Sequence, residues 1–199
     1  MARRATAAKR EAILEAAEGV FAEAGLEGAS LRAVAQAAGY TPAALYFHFD
    51  SKEALYAEML GRTLERLGAA VRGACTGLAG AAKFRAAAMA FFGYYAENPR
   101  DLDLGFYLLR GGMRPAGLGR ARDEALNAAL AAALAPLDEA ARALGATPEA
   151  AQGATVETFA QATGLLLLLH TGRIRMFNAS APALMEAHTD RLLATFDPS

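Results

Sequence analysis

Residues 30–55 read SLRAVAQAAGYTPAALYFHFDSKEAL, and they carry the strongest indication of the fold. It contains two short helical patterns separated by Gly39, and each pattern follows a residue type that caps helices well. Ser30 precedes the first pattern, and Thr41 precedes the second, with Pro42 at its first helical position. Two short helices joined by a tight turn form the motif that sets a helix into the DNA major groove. The stretch therefore predicts a helix-turn-helix.

The residue types inside the motif fit the packing that a helix-turn-helix requires. Two closely crossing helices need a small residue where they meet, and Ala35 supplies it. The turn needs a residue that tolerates a positive φ, and Gly39 is one. Leu45 and Phe49 are expected to point into the core, so the outer face of the second helix is left free for the groove.

The flanking segments extend this head in both directions. A helix is expected over 9–24, closed by Gly25, with an apolar face at helical spacing. That face comprises Ile13, Leu14, Ala17, Val20, Phe21 and Ala24. After the motif, Asp50 and Glu53 have the spacing of a capping box, which predicts that Asp50 caps a fourth helix. The buried positions of that helix are Leu55, Met59, Leu64, Leu67 and Val71.

The rest of the chain predicts longer helices with Gly or Pro between them. They run over about 81–97, 100–110, 118–144, 148–172 and 181–196. Alanine and leucine favour helices, and the alternating β-branched runs that mark strands do not occur. The fold class is therefore all-α, with a three-helix head over 1–50 and a larger helical body over 51–199. The fourth helix, about 51–72, is expected to connect them.

Composition restricts the function only mildly. The chain has 199 residues, of which 54% are hydrophobic, so it can bury a large core. Its formal net charge is −1, whereas a DNA-binding domain is often strongly basic. A basic cluster, Arg3, Arg4, Lys9 and Arg10, nevertheless precedes the first acidic residue. This cluster is either a solvated, frayed terminus or an arm near phosphate or the minor groove.

The single cysteine and the hydropathy pattern predict where the protein works. Cys75 alone excludes an internal disulfide and a thiolate metal cluster, and it is expected to be a small buried side chain. No signal peptide pattern is present, and the most apolar run, Leu165–Leu169, is far too short to cross a bilayer. We therefore expect a cytoplasmic protein with no membrane partner, no metal and no cofactor.

The segment from Gly25 to Leu55 resembles the N-terminal signature of the TetR family of bacterial transcriptional regulators. The portion LYFHFDSKEAL, Leu45–Leu55, carries most of the resemblance. The similarity covers about the first quarter of the chain, and the remainder is similar to the family in length and helical character. It implies a homodimer whose heads read the two half-sites of a palindromic operator.

The resemblance also implies which residues contact DNA. Ser30 would contact phosphate, and Arg32 would contact phosphate or a guanine edge. The leading end of the recognition helix would consist of Thr41, Pro42, Ala43 and Ala44. Tyr46 and His48 would hold backbone phosphates, and Lys52 would add a cation at the next helix start.

The reading face departs from the family pattern at two positions. Family members commonly have Gly followed by Thr or Ser where this chain has Ala43 and Ala44. Pro42, Ala43 and Ala44 can offer only apolar contacts, for example to thymine methyl groups. Sequence discrimination is therefore expected to depend on Arg32, Thr41 and DNA shape.

The body is expected to hold a small, apolar effector, because that is what the resemblance implies for this part of the chain. Aromatic and methionine side chains are concentrated in its central helices, and effector pockets are mostly apolar with a few polar groups. The candidate contacts are Tyr95, Tyr107, Arg110, Gln161 and His170. The last two helices are where the family pairs its subunits, and the apolar run Leu165–Leu169 predicts burial on more than one side. His188, among polar residues, is expected at the surface or an interface.

No catalytic motif is found: the sequence lacks HExxH, GxSxG, a P-loop and GxGxxG. Asp101 and Asp103 are better explained as acids that favour a helix N-terminus than as a catalytic pair. The prediction is a DNA-binding regulator, in the first place a repressor released by its effector, and not an enzyme. The alternative is an all-helical small-molecule-binding protein or enzyme with a vestigial helix-turn-helix.

Overall fold

The computed structural model describes residues 2–106 and 118–196, and all regular structure in these residues is helical, as predicted. The first four helices are α1 (Ala2–Gly28), α2 (Leu31–Ala37), α3 (Pro42–Tyr46) and α4 (Lys52–Ala74). They are followed by α5 (Gly80–Glu97), α6 (Pro99–Phe106), α7 (Arg120–Ala143), α8 (Pro148–His170) and α9 (Ala181–Ala194). A 3₁₀ turn, Arg173–Phe177, lies between α8 and α9, and the sequence patterns do not predict it.

Helix α1 begins seven residues earlier than predicted. Gly25 ends its regular geometry as expected, with φ at 72° and ψ at 177°, although helical residues continue to Gly28. The expected core positions Ile13, Leu14, Ala17 and Phe21 are buried. The other two expected core positions are wrong, since Val20 is only half-buried and Ala24 is exposed.

The caps of α2 and α3 are the predicted ones. The Ala33 amide donates to Ser30 Oγ at 3.1 Å, and the Ala44 amide donates to Thr41 Oγ1 at 3.3 Å. Each hydroxyl thereby satisfies one of the amides that a helix N-terminus leaves without a partner in the helix.

The predicted cap of α4 is wrong by one residue. Ser51, not Asp50, occupies the capping position, because the Ala54 amide donates to Ser51 Oγ at 3.1 Å. The Asp50 carboxylate instead lies 3.5 Å from the Arg122 guanidinium. The predicted core positions of α4 are correct, and Leu55, Met59, Leu64, Leu67 and Val71 are all buried.

The predicted helices of the body are all found, with boundaries shifted by a few residues. Helix α5 ends before Asn98, as the Asn-Pro pair predicts. Helix α6 ends at Phe106 among the described residues, so the predicted continuation to residue 110 lies outside them. Helix α7 runs on through Pro136. Cys75 is buried, as expected of a small apolar side chain.

The chain divides into two units. The first comprises the residues up to Thr63 with the described part of 103–127, and the second comprises Leu64–Leu102 with Ala128 onward. Helix α4 crosses this division in sequence, between Thr63 and Leu64. The predicted boundary at residue 50 stays a prediction, since it concerns function and the two units are defined by packing.

Aromatic rings fill much of the core of the second unit, where α5, α8 and α9 pack on one another. Phe91 makes edge contacts with Tyr95 at 5.3 Å and with Phe159 at 5.7 Å, and Phe84 contacts Phe196 at 5.8 Å. Burial of each large side chain contributes about 1.5–3 kcal/mol to stability, which makes this cluster a main source of the unit's stability.

Candidate nucleic-acid interface

The turn between α2 and α3 is built as its sequence predicts. Gly39 has φ at 73°, and its amide donates to the Gln36 carbonyl at 3.2 Å. The Tyr40 amide donates to the Ala35 carbonyl at 2.8 Å. This pair of bonds is the Schellman arrangement, which ends a helix and turns the chain sharply. Ala35 is fully buried, so the two helices can approach closely.

Helix α3 is packed on one side and open on the other. Leu45 and Phe49 are buried, as predicted, and they attach the helix to the head. On the opposite side, the side chain of Tyr46 is 59% exposed and that of Phe47 is 84% exposed. The predicted reading residues share this open side: Thr41, Pro42 and Ala43 are exposed and Ala44 is half-buried. Helix α3 therefore has a free outer face.

The two capping hydroxyls remain able to contact a phosphate. Ser30 and Thr41 accept a backbone hydrogen bond through their side-chain oxygens. A hydroxyl that accepts one bond still has a hydrogen to donate. Both residues are exposed, so their predicted contact with DNA is compatible with their capping role.

The predicted phosphate ligands differ in exposure. Arg32 is exposed, whereas His48 and Lys52 are half-buried. The His48 ring makes an edge contact with the Phe47 ring at a centroid distance of 5.4 Å. Phe47 thus supports the imidazole next to the reading face.

A cleft beside α3 contains residues that the sequence patterns do not assign to the site. It has a volume of about 350 Å³ and is lined by Thr6, Lys9, Ile13, Tyr40, Ala44, Phe47 and His48. Lys9 is exposed there, and Tyr40 is half-buried. The basic N-terminal cluster is the sequence signal for Lys9. For Tyr40 the only signal is its place directly after the turn glycine.

Lys9 and Arg10 of the basic N-terminal cluster have different surroundings. Arg10 forms an ion pair with Glu58 of α4, and its guanidinium lies 4.7 Å from the centre of the Phe49 ring. Lys9 remains available to a phosphate at the cleft. The side chains of Arg3 and Arg4 lie outside the part that the structure describes. The backbone of this segment is helical.

Two of the predicted effector contacts meet in the second unit. Tyr95 is buried, and burial is the main reason why the pKa of its hydroxyl is raised. The His170 Nε2 atom donates to the Tyr95 carbonyl oxygen at 2.9 Å. Gln161 is half-buried on α8, whereas Tyr107 and Arg110 lie outside the described residues.

Helices α8 and α9 expose apolar side chains of the kind that an interface buries. Leu165 and Leu166 are buried as predicted, but Leu167 is 60% exposed. Val156 on α8 and Leu184 on α9 are also exposed. The leucine run therefore has one packed side and one open side in the single chain.

Residues 2–106 and 118–196 show neither a metal-binding cluster nor a membrane-spanning helix. These residues contain no group of three or more His, Cys, Asp or Glu side chains that could hold a metal ion. No helix in the same residues has both the length and the apolarity that a membrane span requires.

Comparison with known sequences finds similarity in the head. Residues 13–59 match the family model described as bacterial regulatory proteins, tetR family. The transcriptional repressor BepR of Brucella suis is 47% identical over 53 residues, which cover 27% of this chain and 25% of BepR. The chain thus matches about a quarter of the length of such curated relatives.

Comparison with solved structures extends the similarity to the whole fold. The regulatory protein SCO4313 superposes with a TM-score of 0.78 at 21% identity, over 98% of each chain. The regulator FadR from Bacillus subtilis, solved in complex with stearoyl-CoA, has a TM-score of 0.66 at 16% identity. That match covers 92% of this chain and 97% of FadR.

Proposed function

From the TetR-family head formed by residues 13–59, we propose that the chain is a DNA-binding transcriptional regulator that represses its target genes. The observation that carries the proposal is the open outer face of α3, which lies opposite the buried Leu45 and Phe49. A short helix fixed on one side and free on the other can enter the major groove without rearrangement. The repressor name of the relative BepR supports the sign of regulation.

The contacts with DNA divide into two kinds. Ser30, Tyr46, His48 and Lys52 hold phosphates, and the exposed Lys9 at the cleft adds a cation to them. These contacts fix the position of the head on the duplex and carry no sequence information of their own.

Base-edge contacts come from the start of α2 and of α3. Arg32 can donate two hydrogen bonds to a guanine edge, and Thr41 can donate or accept one. Pro42, Ala43 and Ala44 contact thymine methyl groups, since their side chains form no hydrogen bonds.

The regulator acts as a homodimer on a palindromic operator, with α8 and α9 of each copy forming the interface. The exposed Val156, Leu167 and Leu184 support this assignment, because a partner would remove them from water. The two recognition helices then lie about one helical turn apart, roughly 34–36 Å, as paired half-sites require.

A small, apolar effector bound in the second unit releases the protein from DNA. The proposed contacts are Tyr95, Gln161 and His170, with Tyr107 and Arg110 as further candidates from the sequence. Helix α4 transmits the change, because its residues up to Thr63 belong to the first unit and the rest to the second. An effector that prefers another spacing of the recognition helices weakens DNA binding by linkage. FadR, which shares the fold, was solved with stearoyl-CoA. A free long-chain fatty acid is therefore a suitable first apolar probe, and the acyl-CoA, with its charged CoA group, is the comparison.

The test is DNA binding by two single variants, measured by fluorescence anisotropy on the protein's own upstream region. Arg32→Ala should weaken binding roughly 10- to 100-fold, because a base-edge arginine contributes about 1–3 kcal/mol. Tyr46→Phe removes only the phosphate-binding hydroxyl, so it should weaken binding less and equally for all sequences.

The salt dependence separates this function from the alternative. Wild-type affinity should fall steeply between about 50 and 200 mM salt, as expected when phosphate contacts release counterions.

Arg120→Ala is the control for Arg32→Ala. It changes an exposed arginine that pairs only with Glu124 among the described residues, and the variant should bind DNA like the wild type. If the wild type binds no fragment of its own genome at low salt, the head is vestigial and the proposal is wrong.

A further inference from the structure

Arg10 makes more contacts than any role as a phosphate cation would require. Its Nε atom donates to Glu58 Oε1 at 2.9 Å, and a terminal nitrogen pairs with Glu58 Oε2. The other terminal nitrogen lies 3.5 Å from the His48 carbonyl oxygen. The guanidinium carbon lies over the Phe49 ring, 4.7 Å from its centre. Only a planar, five-donor arginine side chain can make these contacts together.

Glu58 is held from two sides. Arg62, one turn further along α4, approaches Glu58 Oε1 at 3.5 Å and donates to Glu11 of α1 at 2.6 Å. Positive and negative side chains therefore alternate in a series of ion pairs that links α1 to α4. The series runs from Arg10 of α1 to Glu58 and Arg62 of α4 and back to Glu11 of α1. The hydrogen bond with Glu58 raises the pKa of Arg10, against the opposing effect of burial, so the guanidinium stays charged.

The positions that Arg10 touches follow directly on the recognition helix. Helix α3 ends at Tyr46, and Arg10 contacts the backbone of His48 and the ring of Phe49. His48 and Tyr46 are proposed phosphate ligands, so a shift of this segment would move both. Arg10 itself is bound to α4 through Glu58 and so cannot move freely toward DNA.

We infer that Arg10 and Glu58 are positioning residues that fix the C-terminal end of α3 on α4 in its DNA-binding position. The inference rests on the proposed function, because it assigns a regulator's head a defined geometry. For Arg10, it excludes one of the two alternatives for the basic N-terminal cluster, the arm near phosphate or the minor groove.

Glu58 could affect DNA binding only through its charge or by positioning α3, and these two roles predict opposite effects of Glu58→Gln on DNA affinity. If Glu58 acted only through its charge, its removal would tighten binding to a polyanion. If Glu58 positions α3 through Arg10, the variant binds operator DNA several-fold more weakly. Arg10→Lys also distinguishes the two roles. It keeps the positive charge but loses the paired hydrogen bonds of the guanidinium to Glu58 and its contact with the Phe49 ring.

The salt slope completes the DNA measurement. A lost phosphate contact lowers the slope of affinity against salt by about 1. Because Arg10 does not contact phosphate, both variants should bind several-fold more weakly with an unchanged slope. The matched control is Glu18→Gln, which neutralises an exposed acid on the same helix α1 and should not weaken binding.

Hydrogen exchange in the free protein tests the inference without DNA. Arg10→Lys and Glu58→Gln should each increase exchange in peptides covering 42–49, while peptides from α5 and α8 keep wild-type protection. Unchanged exchange over 42–49 in both variants overturns the inference, and so does tighter DNA binding by Glu58→Gln. If the wild type binds no DNA, the proposed function fails, and the exchange result still decides the inference.

Discussion

His188 on α9 has a buried imidazole nitrogen, Nε2, that finds no hydrogen-bond partner in the described part of the chain. A buried polar atom without a partner is costly, and the cost grows when the group carries a charge. Burial lowers the pKa of His188, Arg191 lowers it further, and Glu157 of α8 acts in the opposite direction. His188 was expected at the surface or at an interface. In the single chain it is half-buried, and its Nε2 atom lies in the interior.

His188 should make the fold less stable in mild acid. Because its folded-state pKa lies below the ordinary value of 6.5, the unfolded chain binds the proton first as the pH falls. Wild-type stability should therefore decrease between about pH 7 and pH 5 more than that of His188→Gln. Urea denaturation at fixed protein concentration at each pH measures the difference.

His48→Gln is the control, because it removes another histidine, which lies in the first unit. This variant should still show the acid-induced loss of stability. Parallel pH profiles for wild type and His188→Gln would show that the buried nitrogen does not contribute.

Helix starts show how one residue decides an element. Ser30, Thr41, Thr147 and Ser180 each cap a helix through a side-chain oxygen, and sequence reasoning assigned the first two correctly. At α4, two adjacent residues, Asp50 and Ser51, are both good capping types. The capping-box spacing favours Asp50, but the backbone places the Ser51 oxygen next to the Ala54 amide.

The cap of α4 can be tested by comparing neighbours. Ser51→Ala should lower the free energy of unfolding by about 1 kcal/mol, the usual cost of removing a capping hydroxyl. Asp50→Ala removes only an exposed ion pair with Arg122, so it should cost about 0.5 kcal/mol or less. Chemical denaturation of both variants gives the comparison. The reverse order of the two costs would restore Asp50 as the cap.

At the scale of the whole molecule, the oligomeric state depends on what covers the exposed apolar side chains of α8 and α9. A run of five leucines is apolar on every side of a helix, yet a single chain buries only some of them. A stable interface buries about 1,000 Å² or more, and exposed side chains on two adjacent helices are a suitable start for it. The homodimer proposed above accounts for Leu167, which no described residue covers fully.

Leu167→Glu should convert the dimer to monomer. In the single chain this side chain is 60% exposed, so the charge costs little stability there. In a dimer the glutamate would be buried without a partner, which is strongly unfavourable. Light scattering after size exclusion measures the mass, and operator affinity should fall along with it.

Leu78→Glu is the matched control, since Leu78 is also an exposed leucine but lies between α4 and α5. It should leave the mass unchanged. A Leu167→Glu protein with the wild-type mass would place the interface elsewhere.

The elements that depend on local chemistry can be predicted from the amino-acid sequence. The capping hydroxyls of Ser30 and Thr41, the turn at Gly39 and the helical spacing of Leu45 and Phe49 are properties of neighbouring residues, and each was predicted correctly. The helical class followed in the same way, as alanine and leucine favour one backbone conformation wherever they stand.

Features that depend on distant partners are visible only in the folded chain. Arg10 and Glu58 are 48 residues apart, so no local pattern shows that a cation in a basic cluster is already paired. The same holds for Tyr40 and Lys9, which the fold brings to one cleft, and for Leu167, which the fold leaves open. Sequence patterns report the period of a helix, but burial and charge pairing arise from contacts that chain folding creates.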